Sequence, residues 1–198
     1  REPYQTLKNW KEKKNKKPMI IFGERQVGKT YLVQEFAKDN YEYFYTINFE
    51  FEKEALNIFS GNLDIKTLLI QLSSYQPNVP IIEGKTLIFF DEVQKCPQVL
   101  TALKSFALDG RFDVIASGSM LGIIMHEVSS YPVGHVETMH MKPMSFKEFL
   151  WANGYVDEQI ETYKEYFLEQ KPLPDGLHHT LNKYFLYYVV VGGMPEAV

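Results

Sequence analysis

The chain has 198 residues, enough for one large domain or one domain with the start of a second. Hydrophobic residues at 45% and charged residues at 23% are ordinary for a globular protein, and a net charge of −4 excludes a general attraction to nucleic acid or anionic lipid. The single cysteine, Cys96, excludes an internal disulfide framework and leads us to expect a reducing cytoplasm. No apolar run approaches the roughly 18 residues of a membrane span, and no secretory leader is recognisable. The start at Arg1 without Met, and the stop at Ala197-Val198, are those expected of a piece of a longer protein.

In chain order, residues 3–15 have helical spacing, with Tyr4, Leu7 and Trp10 as an apolar stripe. Lys11, Lys13, Lys14, Lys16 and Lys17 follow and are expected to form a solvated face rather than a phosphate-binding patch. Pro18 ends the helix, and Met19-Ile20-Ile21-Phe22 reads as a buried strand. Next comes Gly23-Glu24-Arg25-Gln26-Val27-Gly28-Lys29-Thr30: Gly, four residues, then Gly-Lys-Thr. Between a strand and the helical stretch from Tyr31, this is the phosphate-binding loop, or Walker A pattern. Gly23 and Gly28 are expected to take backbone conformations closed to other residues, so that the loop curls its N–H groups around a phosphate. The following helix aims its partly positive N-terminus at the same anion. Residues Gly23 to Tyr31 are thus the candidate nucleotide-binding segment, Lys29 the contact to the β/γ-phosphates, and Thr30 a Mg²⁺ ligand.

Tyr43 to Phe49 is aromatic and β-branched, as in a strand; helices are expected over 52–60 and 64–75. Thr86-Leu87-Ile88-Phe89-Phe90-Asp91-Glu92 then has the form of a Walker B strand. Its four consecutive apolar residues suit a strand covered on both faces, and its two acids fall where a parallel strand emerges at the ligand-binding edge. Asp91 is the second candidate Mg²⁺ ligand, and Glu92 the group that orients or deprotonates an attacking water. A helix from Pro97 to Leu108 leads to a strand at Phe112–Ala116 and then to Ser117-Gly118-Ser119. Ser119, and after it Ser117, could contact a γ-phosphate or the water; an ordinary turn is the alternative. Val136 to Met141 reads as a further strand, and Ser145-Phe146-Lys147-Glu148 as a capping box opening a helix. Helices at 157–170 and 177–191 follow, the last with an apolar face of Leu177, Leu181, Tyr184, Phe185, Tyr188 and Val191 expected to pack as core against the sheet domain or a continuation of the chain, a partner-binding helix being the alternative.

Other chemistry is weakly indicated. The histidines (His126, His135, His140, His178, His179) do not have zinc-hydrolase spacing, and Cys96 has no histidine beside it in sequence. An Asn-Lys-x-Asp guanine signature is missing, since Asn182-Lys183 runs into Tyr184-Phe185, which favours ATP by elimination.

Arg25 to Thr30, Asp91-Glu92-Val93-Gln94 and Ser117-Gly118-Ser119 together resemble a group of prokaryotic AAA-type ATPases that often carry a C-terminal domain of unknown function. Met141 to Leu150 is similar to that group's Pro-Leu-Ser-Phe-x-Glu-Phe-Leu stretch, and Gly192-Gly193-Met194-Pro195-Glu196-Ala197 is a further match. The resemblance implies a P-loop NTPase three-layer α/β sandwich with about five mostly parallel strands in the order 5-1-4-3-2. It implies Glu92 as catalytic acid/base and Ser119 as γ-phosphate sensor. Relatives commonly place Gly-Arg before the Pro-Leu-Ser-Phe stretch, where this chain has Gly134-His135, leaving Arg111 or Arg25 as possible substitutes for an arginine finger. The expected organisation is an ATPase core over 1–142 and a helical segment over 143–198 leading to a further domain. The expected activity is slow, Mg²⁺-dependent ATP hydrolysis with Glu92, Lys29 and Ser119 as the catalytic residues. The alternatives are an ATP-dependent switch that recruits a protein or DNA partner, with self-association also open, and, more weakly, a small-molecule kinase.

Overall fold

A computed structural model describes residues 1–119, 132 and 134–195. His126, Glu196 and Ala197 lie outside the described residues. The chain divides into two compact units. The larger comprises Glu2–Arg25 and Lys29–Met141; the smaller comprises Arg1, Gln26–Gly28 and Lys142–Val198.

The larger unit is built on a five-stranded sheet of β1 (Met19–Phe22), β2 (Tyr43–Asn48), β3 (Thr86–Asp91), β4 (Asp113–Gly118) and β5 (Glu137–His140). The spatial order is β2-β3-β4-β1-β5, the expected order read from the other edge, and every pairing is parallel. β3 and β4 are buried along their whole lengths, as continuous apolar runs in a parallel sheet require.

Helix α1 (Glu2–Lys11) packs on α2 (Lys29–Asn40), and α2 packs against β2, β3 and β4. The main core cluster joins Ile20, Tyr45, Ile47, Ile88, Phe90, Val114 and Ala116 to α3 (Ile65–Tyr75) and α4 (Gln98–Asp109). Phe90 is its aromatic hub, with rings of Phe49, Phe59 and Phe106 within 5.4–6.3 Å of it.

Several expected elements differ in detail. The stretch expected as a helix over 52–60 is a 3-10 helix, Lys53–Phe59, closed by i→i+3 bonds such as Ala55 N–H to Glu52 O. α1 stops at Lys11 rather than 15. The lysines after it are only in part a solvated face: Lys16 is half-buried and pairs with Asp113 at 3.0 Å, Lys13 pairs with Glu137 at 2.5 Å, and Lys11 lies over the Tyr41 ring. Pro97 caps α4 from outside instead of opening it.

In the smaller unit, the capping box at Ser145 forms as expected and starts α5 (Phe146–Ala152). It is followed by α6 (Asp157–Leu168) and α7 (Asp175–Val191). Within this unit the apolar face of α7 is only partly covered: Leu177, Leu181, Tyr184, Tyr188 and Val191 are half-buried, Phe185 is exposed, and α7 buries no residue fully. Tyr188 helps attach it, with its ring 5.5 Å from those of Phe146 (tilted) and Phe149 (edge-on) and its hydroxyl donating to the Met144 carbonyl at 2.8 Å.

Candidate active site

Parallel pairing brings the C-terminal ends of β1, β4 and β3 to one edge of the sheet, the edge where open α/β sheets bind ligands. β1 runs into the glycine-bounded loop, β3 into Asp91-Glu92, and β4 into Gly118-Ser119. Three segments far apart in sequence thereby converge, and their side chains touch.

The two glycines serve different purposes. Gly28 has φ 88°, a backbone region that side-chain-bearing residues rarely enter, as does Gln26 at 63°. Gly23 needs no such conformation, contrary to expectation. It is required because a Cβ there would lie 2.0 Å from the carbonyl oxygen of Met141, whose N–H is bonded to Phe22 O at 2.7 Å. The other functional glycine property, close backbone approach, is what the position uses.

Lys29 is 6% exposed, and its ammonium donates to the carbonyls of Gly23 at 3.0 Å and Glu24 at 2.6 Å. Burial lowers its pKa; Glu92 and Asp91 oppose that shift, and Arg25 adds to it. The lysine therefore sits within the field of both acids and of Arg25.

Asp91 is the hub of the polar network. Its Oδ2 accepts from Thr30 Oγ1 at 2.8 Å and from Asn48 Nδ2 at 3.1 Å. Its Oδ1 accepts from Ser117 Oγ and from the Glu92 N–H at 3.1 Å. The pair expected to share a metal, Thr30 and Asp91, is thus in direct contact. Hydroxyl and carboxylate oxygens are hard donors that fit Mg²⁺. Among the described residues no group of three or more His, Cys, Asp or Glu could hold a metal, so a cation here would complete its shell with phosphate oxygens and water, as Mg²⁺ does at phosphate sites.

Glu92 follows in a left-handed conformation, φ 57° and ψ 44°. Its Oε2 accepts from Gln94 Nε2 and, at 3.5 Å, from Ser119 Oγ; Gln94 Nε2 also reaches Ser119 Oγ at 3.2 Å. The two serines therefore have separate partners: Ser119 joins the glutamate, and the fully buried Ser117 joins the aspartate. Asn48 and Gln94 were not foreseen as site residues. Asn48 was legible only as one residue of the strand expected over Tyr43 to Phe49, and its register opposite Asp91 is a property of the sheet.

The chain's three arginines are Arg1, Arg25 and Arg111. Arg111 lies far from Ser119 within the larger unit. It precedes β4, at the opposite edge of the sheet from Ser119, and forks onto Asp109 at 2.8 Å. Within the smaller unit, Arg1 donates to Val27 O at 2.6 Å and pairs with Glu148 at 3.1 Å. Exposed Arg25 acts on Lys29 through its charge. Tyr31 is 68% exposed. Cys96 is buried, and burial pushes its thiol up to about 11, as expected of an incidental thiol rather than a nucleophile.

An uncharacterized protein of Methanocaldococcus jannaschii, MJ1544, is 28% identical over 182 residues, covering 89% of this chain. The chain spans 35% of that relative's length. Among solved structures, the Walker-type ATPase PABY2304 of Pyrococcus abyssi aligns with a TM-score of 0.50 at 16% identity, covering 98% of this chain and 63% of that one. Drosophila ORC bound to DNA aligns with a TM-score of 0.54 at 15% identity, covering 94% and 54%. At such identities the likeness is one of fold. The model of the AAA domain family matches residues 15–150, from before β1 through α5, and the chain belongs to that family.

Proposed function

We propose that this domain binds Mg-ATP and hydrolyses it to ADP and phosphate, slowly when alone. The observation that carries the reading is the Thr30–Asp91 contact beside the Glu92–Ser119 contact. It joins a phosphate loop, a metal-binding pair and a water-activating carboxylate in one place. Loop N–H groups from Gly23 to Thr30 and the N-terminus of α2 hold the phosphates, and Lys29 neutralises charge on the β/γ oxygens. Thr30 and Asp91 would hold Mg²⁺, which would supply positive charge against the charge of the phosphates. Glu92 takes the proton of the attacking water, and Ser119 senses the γ-phosphate. Activation of water by Glu92 argues against a kinase, which must exclude it.

An arginine finger contributes about 10³–10⁵ in rate. Of this chain's arginines Arg25 is in the loop, Arg1 is engaged by the Val27 carbonyl and Glu148, and His135 stands where relatives place one. That favours slow turnover until a partner supplies the charge. It equally favours a second reading, an ATP-dependent switch that binds a protein or DNA partner. A C-terminal domain following this region is part of the proposal, as is a cytoplasmic location; among the described residues no helix is long and apolar enough to cross a membrane.

Phosphate release under saturating Mg-ATP tests the reading. Glu92→Gln should lower turnover by about 10²–10⁴, the usual worth of a general base, while Mg-ATP binding persists. Binding without turnover in the unaltered domain would favour the switch and refute hydrolysis by this piece.

A further inference from the structure

Gln94 lies two residues beyond Glu92 on the short 3-10 turn Val93–Lys95 that follows β3. That turn, held by Lys95 N–H on Glu92 O at 2.9 Å, brings the two side chains onto one side. The amide nitrogen of Gln94 spends its protons on Glu92 Oε2 and Ser119 Oγ. The orientation of the amide follows from chemistry. Turned over, it would set Oε1 against a carboxylate, two acceptors face to face. With Nε2 on the glutamate, Oε1 points away, and it is the one buried side-chain polar atom without a hydrogen-bond partner among the described residues. Native proteins rarely leave such an atom unmet, because burying it costs free energy that an apolar side chain would spare. Phosphate oxygens cannot meet it, being acceptors themselves; a water can.

We propose that Gln94 is a positioning residue for hydrolysis, holding the Glu92 carboxylate against Ser119 by its amide nitrogen. The inference rests on the hydrolysis reading above. Among the described residues both hydrogen bonds to the Glu92 side chain fall on Oε2, so Oε1 of that carboxylate is the oxygen left to take the proton of water. The glutamate sits on a left-handed backbone outside the sheet's hydrogen bonding, so its side chain depends on such partners for a single orientation. Ser119 alone, at 3.5 Å, is too distant to supply one.

The test is steady-state hydrolysis and Mg-ATP binding by the domain and its variants. Gln94→Ala should lower kcat roughly 10–100-fold, the usual effect of removing a group that orients a reacting side chain. The Kd for Mg-ATP and the thermal midpoint should stay near their original values. In a Glu92→Gln background the same change should cost nothing further, because the two act as a unit. Gln94→Met fills much the same space without N–H donors and should lower kcat as Gln94→Ala does. A packing role alone would leave kcat of this variant near its original value. Unaltered kcat in Gln94→Ala, or full additivity with Glu92→Gln, overturns the proposal while turnover sensitive to Glu92 leaves the hydrolysis reading standing. Turnover indifferent to Glu92→Gln, or absent despite bound Mg-ATP, overturns both.

Discussion

Gly23 faces the Met141 carbonyl, where even a methyl group cannot be accommodated. The obstacle is backbone, so relief requires a strand to move. Gly23→Ala should cost about 1–3 kcal/mol, as overpacking does, and lower the thermal midpoint by several degrees in calorimetry. An unchanged midpoint would refute the steric account. Cys96 makes a prediction about pH. Burial holds its thiol neutral up to about 11, above the ordinary 9.0. Tyr75 is pushed up to about 12 by burial and by its hydrogen bond to Glu52. Between the ordinary and the raised values the folded chain keeps protons that the unfolded chain has lost. Stability should therefore be fully present near neutral pH and fall as pH rises from about 9 through 11. Urea midpoints at a series of alkaline pH values check this. Cys96 should also resist alkylation until the chain unfolds.

At the scale of elements, α5 has only seven residues, too few to be helical on propensity alone, so its start depends on its cap. The Glu148 N–H donates to Ser145 Oγ at 3.2 Å, and the Ser145 N–H donates to Glu148 Oε2 at 3.0 Å. Ser145→Ala should cost about 1 kcal/mol and speed hydrogen exchange of the Glu148 amide. The box was legible because capping is local, written in residues three apart. The 3-10 helix at Lys53–Phe59 was not, because apolar spacing over seven residues suits either helix, and the hydrogen bonds that decide between them depend on how Ala55, Ile58 and Phe59 enter the core. The half-buried face of α7 has a similar cause. Periodicity marks which side is apolar, whereas burial depends on how much surface its neighbours offer.

For the whole molecule, a ligand that binds only the folded chain stabilises it by mass action. At a hundred times its Kd, Mg-ATP should add about 2.7 kcal/mol and raise the thermal midpoint. If Thr30 and Asp91 hold Mg²⁺, EDTA should remove part of that rise, and Asp91→Asn should lose the same part. A shift indifferent to EDTA would count against the metal.

The loop, the apolar strand ending in Asp91-Glu92 and, through a resemblance, the order of the sheet were legible from the order of residues alone. These are local patterns: a glycine-bounded loop, a continuous apolar run and paired acids keep their meaning wherever the rest of the chain goes. Only the tertiary structure decided which serine joins which acid, because Ser117 and Ser119 differ in their partners by the alternation of a strand and its exit. It alone placed Asn48 opposite Asp91, a matter of register between strands 43 residues apart in sequence. It alone gave Gly23 its reason, in a carbonyl supplied by Met141. And it put Arg111 away from Ser119, because that residue precedes a strand whose far end reaches the site.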